Sequence, residues 1–172
     1  MTKTPTPKKS TTPGGTPATV FLDDLGVTFR VHAFDNDIAP GEIGYGKAAA
    51  AALGVPPWRV FKTLLVEATG PLRHAVGIVP VSEQLSLKAM AVAIGVKKVD
   101  MIDPRSAERL TGYVVGGISP FGQRRMLPTF VDASAFDHDT IFVSGGKRGL
   151  DIEIAPRVLL DALGAVSAPI TA

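Results

Sequence analysis

The sequence predicts an α+β protein built on a mixed, curled sheet, and three observations carry that reading. Apolar alternation recurs in hairpin-spaced pairs, helical stretches closed by glycine lie between them, and no regular strand–helix–strand repeat can be traced. With 172 residues, 45% of them hydrophobic and 20% charged, the chain is long enough to bury a substantial core as one domain.

The elements follow in order. Met1 to about Thr19 is dominated by Thr, Pro, Lys and Gly and buries too little apolar surface to offset ordering entropy, which predicts a disordered tail over 1–19 and a domain over 20–172. Val20 to Leu25 reads as a short helix ending at Gly26, and Phe29, Val31 and Ala33 alternate as a strand. Asp35 to Glu42 is a polar loop. An Ala-rich helix, Tyr45 to Leu53, stops at Gly54. Val60 to Val66 and His74 to Val81 form a hairpin around Thr69-Gly70-Pro71. Ser86 caps a helix from Leu87 to Ile94, and Val96 to Met101 is a short strand. Asp103-Pro104 sets an acidic cap before a first-turn proline, opening a helix that closes at Gly112. Tyr113 to Leu127 is basic loop. Thr129 to Asp132, Thr140 to Val143 and Leu150 to Ile154 are strands, and Pro156 starts a last helix through Leu163.

Composition narrows the chemistry. There is no cysteine, hence no disulfide, thiol nucleophile or Cys-based zinc site. His32, His74 and His138 lack ligand spacing, so no metal is expected. No apolar run is long enough to span a bilayer and no secretory leader precedes the domain, which predicts a cytoplasmic protein. A net charge of +2 and a pI near 9.0 leave nucleic acid open as a partner.

Two Gly-rich segments draw the eye: Gly116-Gly117-Ile118-Ser119-Pro120 and Ser144-Gly145-Gly146-Lys147-Arg148-Gly149. The second is not a Walker A loop, because Ile141 stands where its first glycine belongs and Arg148 replaces the Ser/Thr. It is a hairpin turn, with or without an anion site. The first is either a plain connecting loop or a source of backbone N–H groups for a carbonyl oxygen or developing oxyanion. Lys62 interrupts an apolar strand. It is either a buried ammonium that needs a partner or an edge-strand lysine that blunts aggregation, and alternation puts it on a face with Val60 and Leu64, opposite Phe61, Thr63 and Leu65.

Val60-Phe61-Lys62-Thr63-Leu64, then Thr111-Gly112-Tyr113-Val114-Val115-Gly116-Gly117-Ile118-Ser119-Pro120, then Val143-Ser144-Gly145-Gly146-Lys147-Arg148-Gly149-Leu150 closely resemble, in that order, the YbaK/EbsC family. These are free-standing bacterial relatives of the editing domain of prolyl-tRNA synthetase, and the resemblance runs from Val20 to Leu163. It implies a small β-barrel-like mixed sheet flanked by helices, and a deacylase that removes cysteine from mischarged Cys-tRNA(Pro). In the family the substrate's own thiol attacks its ester and leaves as a thiolactone, which needs no cofactor. A water-using Ala-tRNA(Pro) deacylase and a non-catalytic RNA- or nucleotide-binding module are the alternatives. The resemblance gives Lys62, Gly116 and Gly117 the catalytic roles. It gives Phe34, Tyr45, Ile118, Ser119, Pro120, Ser144, Gly145, Gly146 and Asp151 the substrate contacts, with Phe34 standing where the family carries a tyrosine. Lys97, Lys98, Arg124, Arg125, Lys147 and Arg148 are the cations available to tRNA phosphates, and prolyl-tRNA synthetase is an expected associate.

Overall fold

In the computed structural model, residues 15–35, 44–71 and 73–172 are described. The predicted loop at 35–42 therefore lies, beyond Asp35, outside the described residues, as does the predicted tail up to residue 14.

The first helix starts earlier than the sequence reading expects. Helix α1 spans Pro17–Leu25, because Thr16 caps it by accepting the Thr19 N–H at 3.2 Å and Pro17 fills the first turn. Ala18 and Thr19 are fully buried, so the boundary drawn at residue 19 falls inside a packed helix. The chain continues through β1 (Arg30–Ala33), α2 (Gly44–Leu53), β2 (Phe61–Ala68), β3 (His74–Pro80), α3 (Leu87–Ile94), β4 (Val99–Met101) and α4 (Pro104–Thr111). It closes with β5 (Thr129–Asp132), β6 (Ile141–Lys147), β7 (Leu150–Ile154), α5 (Pro156–Leu163) and β8 (Val166–Ala168). The predicted caps act as expected. Ser86 accepts from the Ala89 N–H and Asp103 from that of Ser106, each at 3.0 Å.

The strands form two sheets. One is antiparallel, in the order β1-β7-β6, and the other is mixed, in the order β4-β2-β3-β5-β8, with β3-β5 and β5-β8 parallel. Among the described residues, one isolated bridge, Val60 to Phe142, joins them. The architecture is thus α+β with a mixed sheet, and the strands close no barrel among the described residues. Arg59 reinforces the seam. Its guanidinium donates to the Thr140 carbonyl and hydroxyl at 2.7–3.2 Å and lies over the Phe142 ring. Its neighbour Trp58, the chain's one tryptophan, is exposed.

The largest apolar cluster gathers Phe61, Leu65, Ile78, Phe121, Ile141, Ile152 and Leu159 from both sheets, α5 and the loop before β5. A second, under α3, takes Val66, Val79 and Met90; a third, under α2, takes Ala50, Val60, Val81 and Phe142. Alternation along β2 holds: Phe61, Thr63 and Leu65 are buried, whereas Lys62 and Leu64 are half-buried. Lys62 therefore falls between the cluster under α2 and the cluster under α3. β2 is an internal strand, yet β4 pairs only with Val66 to Ala68, so Lys62 is paired on one side alone, opposite Val79.

Candidate active site

That gap in the covering of β2 opens into a cavity of about 520 Å³, within the ordinary range for small-ligand sites. Its lining brings together Lys62, Gly116, Ile118, Phe34, Tyr45, Ser144, Asp151 and Arg148, residues more than a hundred positions apart in the chain.

The two Gly-rich segments meet here because they are packed on each other. Gly116 has φ of +89°, and a Cβ there would lie 2.9 Å from both the Tyr45 ring and the Arg148 Nε. A Cβ on Gly117 would come within 2.8 Å of the Lys147 Cα. Arg148 fastens the contact: Nε and Nη2 donate to the Val115 carbonyl at 3.0 and 2.8 Å, and the guanidinium stacks on Tyr45 with 4.6 Å to the ring centroid. Arg148 thus holds the wall of the cavity before it holds any phosphate.

The two glycine amides differ. Gly117 is buried, and its N–H donates to the Val114 carbonyl at 2.9 Å, so it is not available to an oxyanion, contrary to expectation. The Gly116 N–H has no partner among the described residues, and Gly116 itself lines the cavity. Ser119, Pro120, Gly145 and Gly146 also lie outside the lining. Ser119 is fully buried, its hydroxyl accepting from the Phe121 N–H at 3.3 Å. Gly145 packs on Leu150, and Gly146 packs on Tyr113 and Thr16. Ser144 lines the cavity but its hydroxyl accepts the Gly146 N–H at 3.2 Å, holding the turn. Among the expected phosphate contacts, Arg148 alone lines the cavity. Lys97, Lys98, Arg124, Arg125 and Lys147 are exposed elsewhere, Lys98 standing 3.7 Å from Asp100.

Two ionisable groups are unsettled by their surroundings. Burial pushes the Asp151 carboxyl up to about 7, and no donor or cation among the described residues meets it. Burial and, second, the nearby charge of Lys47 hold the Lys62 ammonium below the usual lysine range. Thr63, also in the lining, adds a third polar group, because its Oγ1 is buried and has no hydrogen-bond partner among the described residues. Sequence reasoning passed over Thr63 and Lys47. The signal for Lys47 was a cation in the first turn of a helix, where acids are the ordinary choice; Thr63 stood on the buried face of β2, where a hydroxyl needs a partner. No group of three or more metal-ligating side chains occurs among the described residues, and no helix there is long and apolar enough to cross a membrane.

Fold and cavity together set a strand lysine, a buried carboxyl and a glycine loop around one opening. The chain belongs to the aminoacyl-tRNA editing domain family, which matches residues 45–162. It is 39% identical over 127 residues to EbsC of Enterococcus faecalis, a proposed Cys-tRNA(Pro)/Cys-tRNA(Cys) deacylase, covering 73% of this chain and 76% of that one. It is 27% identical over 130 residues to the uncharacterised YwhH of Bacillus subtilis, covering 73% and 80%. Among solved structures, a proposed trans-editing enzyme for prolyl-tRNA synthetase superposes with a TM-score of 0.79 at 22% identity, over 95% of this chain and 99% of that one. The hypothetical protein APE2540 does so at 0.78 and 26%, over 91% and 99%. Aminoacyl-tRNA editing is therefore the class of activity to which the chain belongs.

Proposed function

We propose that this protein is a trans-editing deacylase that removes cysteine from Cys-tRNA(Pro). The reading is carried by one observation: Lys62, Gly116 and Asp151, contributed by three distant segments, line one cavity that offers grip and polarity, in a chain with no cysteine nucleophile of its own. The name borne by the EbsC relative supports the substrate.

The substrate's Sγ attacks its own ester carbonyl carbon, an S–C bond forms, the C–O bond to the terminal ribose breaks, and the thiol proton ends on the departing ribose oxygen. The product is a cyclic thiolactone and a free tRNA 3′ end. Asp151, ionised in part near neutral pH, holds the α-ammonium so that the thiol folds back on the carbonyl. The free Gly116 amide donates to the carbonyl oxygen as charge develops on it, and Lys62 supplies positive charge on the nucleotide side. Orientation is the main catalytic contribution, since well-placed intramolecular reactions gain about 7–11 kcal/mol. Serine, with a far less acidic hydroxyl, and alanine, with none, are poor substrates on this scheme.

A second reading draws on Asp151 itself: a carboxyl near pH 7 in a cavity is also suited to activate water, which would extend cleavage to Ala-tRNA(Pro). Deacylation assays on Cys-, Ser- and Ala-charged tRNA(Pro) separate the two. Rapid loss of Cys alone is expected, with thiolactone trapped by an added amine. Equal rates on Ala would overturn the thiol mechanism. Lys62→Ala is expected to lower kcat/KM at least about tenfold, as loss of a charge-assisted contact should.

A further inference from the structure

The scheme above leaves one cavity-lining cation without a task. Lys47, in the first turn of α2, lines the same cavity as Lys62 and is exposed. The two are close enough for the charge of Lys47 to disfavour protonation of Lys62. Neither forms an ion pair with a described residue, although the carboxyls of Asp35, Glu83 and Asp151 line the same cavity. The third cation of the lining, Arg148, is committed to Val115 and Tyr45. The first turn of α2 carries no acid, so the positive end of the helix adds to the same field. No carboxylate among the described residues closes on either lysine, and an anion placed at the opening would meet two ammonium groups at once.

We propose that Lys47 and Lys62 form a phosphate subsite on the exposed side of the cavity, and that it takes the phosphodiester on the 5′ side of the substrate's terminal nucleoside. The proposal rests on the editing reading and extends it. A cavity of about 520 Å³ has room for an aminoacylated nucleoside, and the first phosphate then falls at the rim, where Lys47 is exposed. Lys47 becomes a substrate-positioning residue that sets affinity for the nucleic-acid end of the ligand.

The test compares 2′(3′)-O-cysteinyl adenosine with its 5′-phosphate. The wild-type protein is expected to favour the phosphorylated ester about tenfold or more in kcat/KM, mainly through KM, as a charge-assisted contact predicts. Lys47→Met should erase most of that ratio, and Lys47→Arg should restore it. An undiminished ratio in Lys47→Met overturns the proposal, as does an equal loss on both esters. Turnover of neither ester by the wild type would instead defeat the deacylase reading. The subsite is then decided by calorimetry with adenosine 5′-phosphate against adenosine, in which the same loss of phosphate preference in Lys47→Met supports it and an unchanged preference refutes it.

Discussion

Asp151 is the residue on which stability and function pull in opposite directions. Its pKa is raised, so the folded protein keeps a proton that the unfolded chain releases from about pH 4 upward, and stability falls as pH climbs from there towards 7. Asp151→Asn cannot ionise and is expected to be more stable than the wild type at pH 8, by on the order of 3 kcal/mol, with the gap closing near pH 4. Denaturant unfolding of both proteins at the two pH values checks this, and a gap that did not depend on pH would mean that the carboxyl is solvated. The same substitution should cost substrate affinity, because a neutral amide is a poor partner for an ammonium.

At the scale of elements, the glycine loop and the glycine turn act as one piece. Gly117→Ala drives a Cβ into the Lys147 backbone, which no rotamer change relieves, so loop and turn must part. A loss of about 1–3 kcal/mol is expected, read from thermal unfolding, together with a fall in deacylation as Gly116 leaves its place. The turn is braced from behind as well, since the Thr16 hydroxyl donates to the Gly145 carbonyl and caps α1 at the same time. Thr16→Val is expected to cost about 1–3 kcal/mol, measured by denaturant unfolding; an unchanged midpoint would rule out the brace. Much at this scale was legible in the chain. Helices over 87–94 and from Asp103 to Gly112 announce themselves through Ser86, Asp103-Pro104 and their closing glycines, because capping is local chemistry. What hid was non-local. β8 is three residues long and exists by pairing parallel to β5, and the extra turn of α1 depends on Thr16 finding a carbonyl 129 residues away.

At the scale of the molecule, the order of motifs along the chain revealed the family, and Lys62, Gly116 and Asp151 do converge. The sequence could not say which glycine amide is spent, since the Gly117–Val114 turn is a matter of backbone path, nor that five of six candidate phosphate cations stand away from the cavity. Closure of the sheet was likewise invisible to periodicity. Alternation marks which face of a strand is buried, whereas the Val60–Phe142 bridge between the sheets depends on how two distant edges approach.

That contact gives the protein a natural optical probe. Trp58 precedes the seam by two residues, is the chain's sole indole and stands beside the Arg59 anchor, while Val60 next along forms part of the cavity wall. A ligand seated against Val60 lies two residues along the chain from this fluorophore, so titration with a substrate analogue is expected to change its emission, a label-free reading of occupancy that does not wait for chemistry.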